Sequence, residues 1–137
     1  MSKKRILIAD DKGELRKLIR MTLEFGDYEL HEAENGQRTL DLVKSLKPDI
    51  VILDVMMPGA IDGYQVCEKI KESDTYGNPI VILLTARGQI SDLEEGSRVG
   101  ADFYMVKPFS PMALIENIEK LLSSATWPWE TGQRQGR

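Results

Sequence analysis

Pro48-Asp49-Ile50-Val51-Ile52-Leu53-Asp54-Val55-Met56-Met57-Pro58-Gly59 is the stretch on which the reading of this chain turns. The apolar run Ile50 to Leu53 has the length of a strand and no polar face. That is the pattern of a strand covered by helices on both sides of a parallel sheet. The runs Arg5 to Ala9 and Ile80 to Leu84 share this character and are expected beside it. Tyr28 to Glu32 alternates, with charged or polar residues at every second place, as a half-exposed edge strand does. Phe103 to Val106 supplies a fifth strand.

Between these runs the apolar period becomes helical. Leu15, Leu18, Ile19, Thr22 and Leu23 form one stripe expected to pack on the sheet. Leu40, Val43 and Leu46 mark a second helix ended by Lys47-Pro48; Val66, Cys67 and Ile70 mark a third, with Cys67 toward the core. A fourth is expected near Ser91 to Gly100, opened by a capping box over Ser91 to Glu94 and anchored by Leu93 and Val99. Gly96 inside it costs about 1 kcal/mol relative to Ala, which places this helix among the first elements expected to shift. The last helix opens with Ser110 as N-cap and Pro111 at its first position, then carries Ile115, Ile118 and Leu122. Strand alternating with helix five times implies right-handed crossovers, a doubly wound α/β sandwich, and ligands at the carboxyl ends of the strands.

The 137 residues suit a single domain. Residues 1–124 are assigned to it, and the polar, turn-rich 125–137, which holds Trp127 and Trp129, to a linker or docking tail. A net charge of −4 argues against general attraction to nucleic acid or an anionic membrane. One cysteine, Cys67, excludes an internal disulfide and a multi-Cys zinc site; one histidine, His31, excludes a multi-His metal site. No stretch reads as a signal-peptide core or membrane span, so a cytoplasmic location is expected.

Strand one runs into Asp10-Asp11 and strand three ends at Asp54. Taken singly, an Asp after a strand caps the next helix as often as not. Three at adjacent strand ends repel one another and ask for a cation, and hard oxygen ligands suit Mg²⁺. Thr85 and Lys107 close strands four and five, placing a hydroxyl and an ammonium beside the acids, the equipment of phosphoryl transfer. No glycine-rich nucleotide loop follows strand one, and Asp10 and Asp11 would repel a pyrophosphate. Asp54 is then the better acceptor, a carboxylate nucleophile that becomes an aspartyl phosphate.

Together, Ile6-Leu7-Ile8-Ala9-Asp10-Asp11, the stretch from Pro48 to Gly59, Leu84-Thr85-Ala86, Gly100-Ala101-Asp102 and Val106-Lys107-Pro108-Phe109 closely resemble the receiver domain of bacterial two-component response regulators, from about Lys4 to Leu122. The resemblance implies a CheY-like, flavodoxin-like (βα)5 fold with strand order 2-1-3-4-5, carried over from the family's chemotaxis regulator. It implies that Asp54 takes a phosphoryl group from a phosphohistidine on a sensor histidine kinase or phosphotransfer protein. Mg²⁺ would be held by Asp10, Asp11, Asp54 and the backbone carbonyl of Met56. Lys107, through an expected cis link to Pro108, would pair with the phosphoryl oxygens, Thr85 would move toward them, and Tyr104 would turn inward as the switch aromatic. Met56 and Arg87 occupy positions that tune loss of the phosphate.

The resemblance further implies a signalling domain rather than an enzyme with turnover on other molecules, although it assists its own phosphotransfer and autodephosphorylation. The face formed by helix four, strand five and helix five is the expected contact for a downstream protein effector or a phosphorylation-dependent homodimer. Two departures stand out. The loop from Pro58 to Gly63 is one residue longer than usual, with consequences for access to Asp54, and Lys12 follows the acid pair where an acidic or neutral residue is common. A receiver-like module that binds partners without phosphorylation remains an alternative. A haloacid-dehalogenase-like phosphatase is a remoter one, because Met56 stands where its general acid is needed.

Overall fold

The computed structural model describes residues 3–86 and 90–123, with the side chains of 90–92 outside that description. Strands β1 (Lys4–Ala9), β3 (Ile50–Asp54) and β4 (Ile80–Thr85) form the centre of a parallel sheet, flanked by β2 (Tyr28–Ala33) and β5 (Phe103–Val106). The order is β2-β1-β3-β4-β5, as the resemblance implies. Leu7, Ala9, Val51, Leu53, Val81 and Leu83 turn to one face, and Ile6, Ile8, Ile50, Ile52, Ile82 and Leu84 to the other. Side chains alternate along a strand, so a run without polar residues is what two covered faces require.

The first face is covered by α2 (Gly36–Leu46) and α3 (Gly63–Glu72), through Leu40, Val43, Val66, Cys67 and Ile70. Val99, just beyond α4 (Ile90–Arg98), joins the same layer. The second face is covered by α1 (Gly13–Leu23), through Ile19 and Leu23, and by α5 (Pro111–Leu122), through Leu114, Ile118 and Leu121. Each fully buried aliphatic side chain contributes roughly 1.5 to 3 kcal/mol relative to exposure, against about 1 kcal/mol for a good cap, so burial against the sheet holds the layers together.

Caps set the helix boundaries. Ser110 accepts from the Ala113 N–H at 2.9 Å with Pro111 next in the helix, as expected. Asn35 caps α2 through the Arg38 N–H, and Asp62 with Gln65 makes a reciprocal capping box on α3. Lys47, denied right-handed helical geometry by Pro48, ends α2 in the left-handed region at φ 48°.

Several expectations need correction. Helix α4 already includes Ile90, so Ser91 is a helical residue and not its cap. Leu93, expected as an anchor, is 46% exposed, and Leu18 on α1 is 50% exposed although it lies on the predicted stripe. A sheet face covers a narrower strip of each helix than the full apolar period suggests. In α5 the buried positions are Leu114, Ile118 and Leu121, with Ile115 and Leu122 only partly covered. A short 3-10 turn, Asp74–Tyr76, follows α3 and was not foreseen.

Candidate functional site

Strand register brings the candidate residues to one level. Ala9 pairs with Leu53, Asp54 with Leu84 and Thr85 with Val106, so Asp10, Asp54, Thr85 and Lys107 emerge together at the carboxyl edge of the sheet. Helix capping does not account for the acids. The N-cap of α1 is Lys12, which makes no side-chain cap, and α3 is capped by Asp62.

Asp10, Asp11 and Asp54 each offer an oxygen, all within 4.8 Å of one another. Asp10 and Asp54 are 0% and 1% exposed, while Asp11 faces solvent. Asp10 Oδ1 accepts from the Lys12 backbone N–H at 2.8 Å. Lys107 Nζ reaches Asp54 Oδ1 at 3.1 Å and Asp10 Oδ2 at 3.3 Å, and the Lys107–Pro108 peptide is cis. The second oxygen of Asp54, Oδ2, is buried with no hydrogen-bond partner among the described residues.

This orphaned oxygen is the tightest constraint on the chemistry. A buried carboxylate oxygen without a partner forfeits its hydration, and one ammonium shared between two carboxylates cannot neutralise both. Burial first, then the charge of Asp10, push the Asp54 carboxyl above its ordinary value, against the hydrogen bond and charge of Lys107 and the nearby Met56 backbone N–H. The donor set is hard and anionic, and the residues present fit a hard divalent cation of the Mg²⁺ type.

Thr85 is buried at the end of β4, and its carbonyl accepts from the Lys107 N–H at 2.7 Å, tying the two strand ends together. Tyr104 on β5 packs in the α3 and α4 layer, its hydroxyl buried without a partner among the described residues. A Cβ on Gly96 would lie 3.0 Å from the Tyr104 ring and 3.3 Å from Leu83. Gly96 therefore makes room for this ring, a packing role that its helix propensity alone does not reveal. Met56 is 70% exposed beside the acids, whereas Arg87 lies outside the described residues.

The loop from Pro58 to Gly63 packs toward α2. Ile61 folds against Gly36 and Val66, where a Cβ on Gly36 would meet Ile61 Cγ1 at 2.7 Å, and Pro58 to Ile61 line a cleft of about 360 Å³ with Asn35, Gly36 and Gln37. Lys12 is exposed and contributes its backbone N–H rather than an ion pair to Asp10.

Sequence reasoning missed Arg16, whose Nη1 donates to the Asp10 carbonyl at 2.6 Å, and Gly63, whose α-carbon lies against the Asp54 backbone. The helical position of Arg16, one turn after the acid pair, is the only signal that pointed there.

The model of the response regulator receiver domain family matches residues 6–119. The chain is 40% identical over 122 residues to the transcriptional regulatory protein ResD of Bacillus subtilis, covering 89% of this chain and 49% of that protein. It is 38% identical to the phosphate regulon transcriptional regulatory protein PhoB of Pseudomonas aeruginosa, covering 87% and 52%. The chain spans about half the length of the curated relatives it matches. Among solved structures, chemotaxis protein CheY4 of Vibrio cholerae superposes with a TM-score of 0.81 at 27% identity, over 88% of this chain and 99% of that one. A CheY-like receiver domain protein of Methanospirillum hungatei gives 0.79 at 29% identity, over 88% and 94%. With strand order, acid cluster, family match and relatives in agreement, the chain belongs to the receiver domains of two-component response regulators.

Proposed function

We propose that Asp54 is the phosphoacceptor of this receiver, with Asp10, Asp11 and the Met56 carbonyl joining it in holding Mg²⁺. The observation that carries this reading is the buried Asp54 carboxylate, with Oδ1 held by Lys107 and Oδ2 without a partner among the described residues, beside two further acids. Bound Mg²⁺ would supply the positive charge that lets a phosphoryl group approach three carboxylates.

The remaining work falls to the chain's own residues. A sensor histidine kinase or phosphotransfer protein presents a phosphohistidine. Its P–N bond breaks as a P–O bond to Asp54 forms, and the histidine ring keeps the electron pair. Lys107, already placed between Asp10 and Asp54, pairs with the phosphoryl oxygens, and the Thr85 hydroxyl approaches them. Hydrolysis of the acyl phosphate by water, assisted by the same site, resets the domain. Met56, exposed at the rim, and Arg87 tune that lifetime; exchanging either changes the decay rate and leaves phosphorylation itself intact.

Output passes through the face of α4, β5 and α5, where Leu93, Phe103 and Val106 are exposed. Thr85 and Tyr104 couple the site to that face. The Tyr104 hydroxyl, buried without a partner among the described residues, costs about 1 to 3 kcal/mol in its present position, a penalty that a move of the ring would relieve. A phosphoryl charge near −2 is enough to bias such a balance. With a net charge of −4, the chain acts through protein contacts, with an effector or a second phosphorylated copy, rather than by binding nucleic acid itself. Residues 1–124 form the acting unit; the segment 125–137, expected as a linker or docking tail, lies outside the described residues.

Intact mass after incubation with acetyl phosphate tests the reading. A Mg²⁺-dependent phosphoryl adduct on the wild type, absent from Asp54→Asn, is the expected result. No adduct under conditions that modify another receiver would overturn it in favour of a module that binds without phosphorylation.

A further inference from the structure

Every polar group of Asp10 is engaged, and the engagement of its carbonyl is unusual. The Asp10 N–H donates to Ala33 at 3.1 Å, Oδ1 accepts from the Lys12 N–H and Oδ2 from Lys107. The sheet pairing of β1 ends at Ala9, so the Asp10 carbonyl lies beyond the ladder. Arg16 takes the place of a strand there. Its Nη1 donates to that carbonyl at 2.6 Å, while its Nε donates at 2.9 Å to Glu32 Oε1 on edge strand β2.

We propose that Arg16, itself oriented by Glu32, is a positioning residue that sets the Asp10–Asp11 peptide for binding of a divalent cation. The inference rests on the cation site described above and adds to it a support that reaches from β2. A trans peptide is planar, so fixing the Asp10 oxygen also fixes the Asp11 N–H and the direction in which Asp11 leaves the plane. That matters because the Asp11 carboxylate, exposed and without a hydrogen bond or ion pair among the described residues, is placed by its backbone alone. The support is itself rigid. Arg16 lies in the first turn of α1, its backbone N–H bonded to Lys12, and its side chain is only 20% exposed. Two donors pointing in different directions from one planar group are what a guanidinium offers and an ammonium does not.

The test is a Mg²⁺ titration of the full chain by calorimetry, with thermal unfolding of each variant in EDTA. Arg16→Met is expected to weaken Mg²⁺ binding by about tenfold or more, the usual cost of losing support behind a metal ligand. Arg16→Lys should fall between it and the wild type. Saturating Mg²⁺ should restore the rate of phosphorylation by acetyl phosphate in both variants, because the acceptor itself is intact. Arg20→Met is the control: Arg20 shares Glu32 at 3.4 Å but makes no contact with Asp10, and its loss should leave Mg²⁺ affinity unchanged. Should Arg16→Met fail to fold, Glu32→Ala, a surface change, is expected to weaken Mg²⁺ binding in the same direction by a smaller factor. Wild-type affinity in Arg16→Met, or in Glu32→Ala where that variant stands in for it, overturns the positioning role, as does an equal loss in Arg20→Met. A wild type that binds no Mg²⁺ overturns the cation site itself, a distinct result.

Discussion

Gly63 packs its α-carbon against the backbone of Asp54: a Cβ there would fall inside van der Waals contact with the Asp54 carbonyl oxygen and 2.6 Å from Val55 Cα. The Gly63 N–H also donates to the Val55 carbonyl at 3.0 Å, so the start of α3 and the end of β3 hold each other in place. Backbone cannot yield as a flexible side chain does. Gly63→Ala is expected to destabilise the fold by about 1 to 3 kcal/mol or more, the cost of overpacking a rigid site. Urea unfolding measures the loss, and the yield of phosphorylation at the proposed acceptor, Asp54, should fall with it. A variant as stable as the wild type would contradict the contact.

The raised pKa of Asp54 has a signed consequence for stability. Because the folded value lies above the unfolded one, the group's stabilising contribution is fully present below the unfolded carboxylate value of about 3.9 and is lost as pH rises through the folded value. At neutral pH without metal, the ionised Asp54 therefore opposes folding. Asp54→Asn in EDTA is expected to be more stable than the wild type at pH 7 by on the order of 1 kcal/mol, with the difference shrinking as pH falls toward 4. Adding Mg²⁺ should stabilise the wild type and narrow the gap. Thermal unfolding at several pH values decides it; a variant less stable than the wild type at pH 7 in EDTA would show that the Lys107 pairing outweighs burial and the Asp10 charge.

Tyr104 and Gly96 are predicted to be coupled. Removing the buried hydroxyl of Tyr104, without a partner among the described residues, in Tyr104→Phe should raise stability by about 1 kcal/mol. Gly96→Ala should gain about 1 kcal/mol in helix propensity, but its Cβ meets the Tyr104 ring at 3.0 Å. The gain is therefore expected in full only when Tyr104 is also replaced by Ala. A double-mutant cycle read by urea unfolding gives the coupling, and strict additivity would dismiss it.

Cys67 is predicted to be chemically silent in the folded protein. Burial pushes its thiol up to about 12, and the side chain is completely covered in the layer under α3. Reaction with a thiol-specific reagent should proceed at the rate of unfolding. Rapid labelling of the native protein would show that α3 opens locally.

Much of the site could be read from the sequence for a simple reason. In a parallel α/β sheet the side chains at the carboxyl edge follow directly on the strands, and the candidate residues Asp10, Asp54, Thr85 and Lys107 each end or follow an apolar run that is itself visible. Arg16 could not be read this way, because its partner is a backbone carbonyl and backbone groups leave no mark in a sequence. Glu32 looked like the polar face of an edge strand, which it also is. The loop from Pro58 to Ile61 has no period, so its path toward α2 depended on the space beside Gly36.

The sequence by itself determined the alternation of strands and helices, the two-sided burial of β1, β3 and β4, and the residue types at the carboxyl edge, because each is written as a local period or as a residue next to one. The tertiary structure alone decided which part of each apolar stripe is covered, where α4 begins, and how Asp10 is held from four directions. Those depend on the shape of the neighbouring element: a flat sheet covers only a strip of a round helix, and a carbonyl beyond the end of a ladder takes whichever donor the adjacent helix brings within reach.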